Sequence, residues 1–266
     1  MPAIEVPGLP AVNVVRSGPR GRPPILFLHP AGLDLTWWHE QFAALTGDHD
    51  VLAFDLPGHG LSGPLATPPR FDVLARVVEA VLDHAGAASA HLVGVSVGGM
   101  IAQTFALRAP ERVESLTLVA TLCTFPGPVR EALRERARVA RTEGMARIAE
   151  LSNERWFPPA FRERRPDLLD RATGTLLRQD PAFHAGMWEM IAGLDLTADL
   201  PAIASPTLVV AGEEDGNAPV SAGELIAGLL PRATLRTLPG VGHFPPVEAP
   251  AAFTRLLREF LATVDT

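Results

Sequence analysis

One serine stands among glycines where a hydrophobic run has just ended: HLVGVSVGGM, residues 91–100. Gly94-Val95-Ser96-Val97-Gly98 reads G-x-S-x-G, after a strand pattern and before a helical one. A strand that turns at once into a helix strains its corner residue and leaves no room for side chains at Gly94 and Gly98. The corner raises Ser96 Oγ beside amide N–H groups that favour developing negative charge. Alone, the serine could be a helix cap. As a nucleophile it needs a base. LPGVGHFPPVEAP (238–250) offers His243, in a Gly-rich turn before the last helix. The base needs an acid to fix its tautomer and stabilise its cation. VVAGEEDGNAP (209–219) supplies Asp215, the acid furthest into the loop, with Glu214 as the alternate. An oxyanion needs two donors. Val97 N–H follows the serine, and Ala31 N–H lies in LHPAGLD (28–34), where Pro30 has none to give. No His/Cys cluster has metal-ligand spacing, so the expectation is no metal and no organic cofactor.

The elements that must position these groups follow from apolar runs. PPILFLHP (23–30), DVLAFDLPGHG (50–60), SAHLVGVS (89–96), VESLTLVA (113–120) and SPTLVVAGEED (205–215) are apolar on consecutive positions, which predicts strands buried on both faces of a parallel sheet. ATLRTLPG (233–240) predicts a more polar strand near an edge. Helices are expected at 36–45, 71–86 (Asp72 as N-cap, Gly86 past the end), 97–110 and 249–261. The alternation makes the fold α/β with helices on both faces. It breaks from about Phe125 to Asp195, where only helical patterns occur. Residues 125–195 therefore read as an inserted helical cap, with 1–124 and 196–266 as the core. That insert holds 12 of the 23 basic residues, all Arg, interspersed with nine Asp/Glu from 131 to 180, the pattern of solvated helix faces.

At 266 residues, 47% hydrophobic and 20% charged, the chain suits one large domain. A net charge of −7 argues against nucleic acid as partner. No apolar stretch is long enough for a membrane span. The opening MPAIEVPGLPAVNVV shows no signal-peptide pattern, and the one cysteine, Cys123, suits a reducing compartment. A cytoplasmic location is expected.

In order, Ser96, Asp215 and His243 follow the chain order of the α/β-hydrolase triad. The chain resembles that superfamily from about residue 10 to 262, through FLHPAG, FDLPGHGLS, GVSVGGM, APERVESLTLVA, PTLVVAGEED and GVGHFPPVEAP. The resemblance implies a mainly parallel eight-stranded sheet with a helical cap after the sixth strand. It supports the roles given to Ser96, Asp215, His243, Ala31 and Val97. It also marks Asp55, Gly58, His59, Gly60 and Ser62 as a structural loop. The cap stretches 143–171 and 179–212 are similar to the β-ketoadipate enol-lactone hydrolase group, although that group tends to Asn-Ser-Leu-Gly where this chain has His29-Pro30-Ala31-Gly32. The expected partner is a small-molecule ester or lactone. A cofactor-free perhydrolase (haloperoxidase), a C–C bond hydrolase and a non-catalytic small-molecule receptor are the alternatives. Candidate substrate-binding residues are His29, Trp38, Phe125, Trp156, His184 and Trp188.

Overall fold

The computed structural model describes residues 4–5 and 8–264. Strands β1 (Val14–Ser17), β2 (Ile25–Leu28), β3 (Val51–Phe54), β4 (Ala90–Val95), β5 (Val113–Val119), β6 (Thr207–Gly212) and β7 (Ala233–Leu238) form one sheet in the order β1-β3-β2-β4-β5-β6-β7. β1 runs antiparallel to β3, and every other neighbouring pair is parallel. The helices are α1 (His39–Leu45), α2 (Phe71–Ala85), α3 (Val97–Arg108), α4 (Gly127–Trp156), α5 (Pro159–Arg164), α6 (Pro166–Leu177), α7 (Pro181–Ala192), α8 (Val220–Leu229), α9 (Pro245–Glu248) and α10 (Pro250–Val264).

Consecutive apolar residues in the strands serve two cores. Leu26, Leu28, Leu52 and Leu92 join the core under α2 and α3, while Ile25, Phe27, Val51 and Val93 join the core under α1 and α10. Each fully buried side chain of this size contributes roughly 1.5–3 kcal/mol, so the sandwiched sheet is the rigid body of the molecule.

Among the described residues the sheet has seven strands where eight were expected. Among the described residues, the chain before β1 contributes one antiparallel bridge, Ile4 to Val12. β1 itself is a short edge strand with a half-polar pattern, VVRS, and lacked a periodic signal in the sequence. Asp72 does not cap α2. The helix begins at Phe71 behind an extended Arg70, and Asp72 accepts from Arg70 Nε at 2.8 Å instead. Gly86 ends the helix at φ 65°, as expected of a residue without a Cβ.

The register places the carboxyl ends of the central strands side by side. Leu28 pairs with Gly94, Val95 with Val119, and Gly212 with Leu238. The loops that follow these positions carry His29–Asp34, Ser96, Glu213–Pro219 and Gly240–Phe244. The crevice beyond the carboxyl ends is where open α/β sheets bind ligands. Helices α4 to α7 lie between β5 and β6. The chain enters and leaves this segment through a single antiparallel bridge, Thr124 to Asp195. Arg130 staples that neck: its guanidinium donates to Phe125 O at 2.8 Å, Ala192 O at 2.7 Å and Thr124 Oγ1 at 3.1 Å. α4 breaks at Gly144, whose φ of 79° and ψ of −178° are not helical.

Candidate active site

Ser96 sits between β4 and α3 at φ 54°, ψ −118°, one of two described non-glycine residues with positive φ. Such a conformation costs about 1–3 kcal/mol and persists only where neighbours fix it. Here they do. Ser96 N–H donates to Val119 O at 2.9 Å, and Ser96 O accepts from Thr121 Oγ1 at 2.6 Å and from Met100 N at 3.1 Å. A Cβ at Gly94 would stand 2.4 Å from Gly98 C, and one at Gly98 would stand 2.2 Å from Leu28 O. Both are backbone contacts that cannot give way, so the glycines let the elbow close.

His243 occupies the turn between β7 and α9. Its N–H donates to Trp156 O at 3.0 Å, which fixes the turn against the end of α4. Its ring is nearly buried, and Nδ1 donates to Asp215 Oδ2 at 2.8 Å. The other carboxylate oxygen, Oδ1, accepts from Asn217 N at 2.8 Å and Ala218 N at 3.0 Å. Asp215 is thus held from both sides, and Nδ1 must carry the proton. That leaves Nε2 as the ring's basic nitrogen. Glu214, the alternate acid, makes no such contact; its N–H braces the same turn by donating to Val241 O at 2.9 Å.

Ser96, His243 and Ala31 line one narrow cavity of about 60 Å3. Its remaining walls are mostly apolar and include Phe125, Trp156 and Trp188, three of the candidate substrate-binding residues. Val97 opens α3 and is fully buried. Among the described residues, neither the Val97 nor the Ala31 N–H has a protein acceptor. A larger surface groove of about 380 Å3 lies elsewhere, lined by Trp37, Arg165, Arg171 and Pro246, and contains neither Ser96 nor His243.

The other three candidates are not wall residues. His29 is fully buried behind the loop: Nδ1 donates to Pro30 O at 2.8 Å, and Nε2 accepts from Leu56 N at 2.8 Å. Trp38 stacks on Phe27, with ring centroids 4.4 Å apart, in the core under α10. His184 is fully buried too; Nδ1 donates to Gln179 Oε1 at 2.9 Å, and Nε2 accepts from Trp188 Nε1 at 2.7 Å. It therefore sets the indole of a wall residue, over whose ring the Arg136 guanidinium lies 4.5 Å from the centroid. Burial, with help from Arg136, drives the His184 pKa well below the usual histidine range.

The loop around Asp55 is a hydrogen-bond hub. Asp55 accepts from Leu35 N at 2.8 Å, Asn13 Nδ2 at 2.8 Å and Leu61 N at 2.9 Å. His59 stands against His29, with ring centroids 5.1 Å apart, and its Nε2 accepts from Gly32 N at 3.2 Å. Burial, then the neighbouring His29, push the His59 pKa down to about 3.

Several wall residues escaped sequence reasoning. Leu133 and Ile191 come from α4 and α7, which meet only in three dimensions. Asn217 lies in the acid's loop, and its Nδ2 donates to Arg155 O at 2.8 Å, tying that loop to the helical segment. No periodicity carries such a contact.

A family model described as alpha/beta hydrolase fold matches residues 23–250. The chain is 32% identical over 243 residues to 3-oxoadipate enol-lactonase 2 of Acinetobacter baylyi, covering 91% of this chain and 90% of that one. The solved enol-lactonase from Burkholderia xenovorans LB400 superposes with a TM-score of 0.90 at 31% identity, over 95% of this chain and 97% of that one. A thermophilic esterase from Thermogutta terrifontis, solved with malate bound, superposes with a TM-score of 0.91 at 28% identity, over 99% and 97% of the two chains.

Proposed function

The chain belongs to the α/β-hydrolase fold family, and from that premise we propose that it hydrolyses a small carboxylic ester or lactone through an acyl-serine. The observation that carries the reading is the meeting of the strained Ser96 elbow and the Asp215-bound His243 in one cavity. The three side chains come from loops 119 and 28 residues apart along the chain. The named relatives, an enol-lactonase and an esterase, support the bond type.

In the first half-reaction His243 Nε2 takes the Ser96 hydroxyl proton as Oγ attacks the carbonyl. The Ala31 and Val97 amides hold the resulting oxyanion, each contributing roughly 3–4 kcal/mol of barrier lowering. His243 then protonates the leaving alkoxide or enolate, and the acyl group stays on Ser96. In the second half, Nε2 takes a proton from water as that water attacks the acyl carbon, and returns it to Oγ on collapse. Asp215 keeps the imidazole in the required tautomer and stabilises its cation. The narrow apolar cavity suits a small acyl group and keeps bulk water away. We take residues 125–195 as a cap over the site, since Trp156 and Trp188 reach the cavity from it.

Ser96→Ala should lower kcat on a p-nitrophenyl ester or a simple lactone by several orders of magnitude while leaving the fold intact. Steady-state rates on parent and variant, run side by side, test this. Equal rates would mean that the bond is cleaved without Ser96.

A further inference from the structure

His243 sits in the middle of three backbone N–H groups, and each is held from outside its own turn. The central one, its own, donates to Trp156 O. The two that flank it converge on one side chain: Gly242 N donates to Glu248 Oε2 and Phe244 N to Glu248 Oε1, both at 2.8 Å. The local sequence makes this possible. Pro245 and Pro246 open α9 and carry no N–H, so the carboxylate has nothing to cap there and reaches back across the turn. It spans the peptide units on either side of the histidine.

The clamp has little slack. A Cβ at Gly242 would stand 2.6 Å from Pro158 Cδ and 2.9 Å from Trp156 O, and one at Gly212 would stand 2.1 Å from Gly242 O. The turn is wedged between the acid's strand and the end of α4, and Glu248 is the only side chain in the wedge that bonds both flanking amides. Glu248 is not part of the cavity wall. Its far side borders the separate groove formed by α1, α5 and α6.

We propose that Glu248 is a positioning residue: its ionised carboxylate clamps the peptides on both sides of His243 and so holds the imidazole in line between Asp215 and Ser96. The proposal rests on the hydrolase reading above. A carboxylate accepts both N–H bonds at full strength, whereas a carboxyl group turns one oxygen into a donor facing an N–H. Burial pushes the Glu248 pKa up to about 7, against the pull of the two amides and of His243, so the charged clamp forms fully only above that pH and at a desolvation cost.

The deciding variant is Glu248→Gln, which keeps the volume and one acceptor but turns an amide donor toward a backbone N–H. Glu248→Asp keeps the charge on a shorter arm and is the companion. Two readouts apply to the folded proteins, with active sites counted by an irreversible phosphonate. Glu248→Gln should lower kcat on a p-nitrophenyl ester about tenfold with KM within twofold, because the cavity wall is untouched, and Glu248→Asp should lose less. The proton between His243 Nδ1 and Asp215, observed by NMR, should shift or broaden in Glu248→Gln. A folded Glu248→Gln protein with parental kcat and an unmoved resonance overturns the proposal, even if it melts earlier, because a purely structural cap predicts that pair of results. If Ser96→Ala leaves turnover intact, the hydrolase reading fails, while the resonance still tests the clamp.

Discussion

A trans peptide carries its C=O and N–H on opposite sides, so a bond to one aims the other. The Pro30 carbonyl that accepts from His29 Nδ1 belongs to the same peptide as the Ala31 N–H. His29 therefore orients the proposed oxyanion donor from behind, a role different from the substrate contact expected of it. Its other nitrogen satisfies the buried Leu56 N–H. His29→Ala should lower kcat about ten- to a hundredfold with a small change in KM, and should cost about 2–4 kcal/mol of stability for the orphaned groups. Rates and urea unfolding on the same preparation check both effects. The sequence places a histidine beside the proposed oxyanion loop, but the direction of its ring depends on Leu56, which is 27 residues away. Ser96, His243 and Asp215, the proposed triad, stand out in the sequence for the opposite reason. Each stands at the end of its own strand beside turn glycines adjacent in the chain, Gly94, Gly242 and Gly216, although the bonds that hold them in place, to Val119, Trp156 and one another, are long-range.

Elements announced themselves wherever burial was two-sided. β2 to β6 are buried at nearly every position because helices cover both faces of the sheet, and their apolar runs show it. β1 went unseen because an edge strand needs only one apolar face. The helical segment was legible as helices and illegible as an arrangement, because the meeting of α4 with α7 depends on the break at Gly144 and on Arg130 at the neck. Arg130→Ala should remove three bonds to the neck and destabilise the protein by about 2 kcal/mol, read as a lower midpoint in urea without a change in slope. Gly144→Ala should cost about 1 kcal/mol through its positive φ alone, since nothing lies within 4 Å of the added Cβ. Circular dichroism melts of the two single variants and the double variant would show whether the neck and the break act independently.

The molecule as a whole carries buried imidazoles that refuse protons. Burial lowers the pKa of His29, of His59 to about 3, and of His184 well below its usual value. An unfolded chain binds protons on all three below about pH 6.5, so folding stability falls as the pH falls through that value. Glu248 acts in the opposite sense. Folded, it keeps its proton up to about pH 7, against 4.5 in its ordinary state, so between those values it favours the fold as the pH falls. The imidazoles outnumber the one opposing carboxyl, so stability falls as the pH drops below about 6.5, with Glu248 offsetting part of the loss. Urea unfolding at pH 7, 6 and 5.5 should show that slope, and Glu248→Gln should steepen it by removing the opposing group. Stability that stays flat across this interval would mean that the imidazoles accept protons inside the fold.

Thr124 and Asp195 are bridge partners, so the two junctions of the helical segment lie about one strand spacing apart, roughly 5 Å. A graft made at that seam meets the sheet at a single point and need not disturb the pairing of β5 with β6. On the proposed reading, exchanging helical inserts of other lengths there, like the head of a tool, should keep the scaffold of Ser96 and redraw the shape of the proposed acyl site.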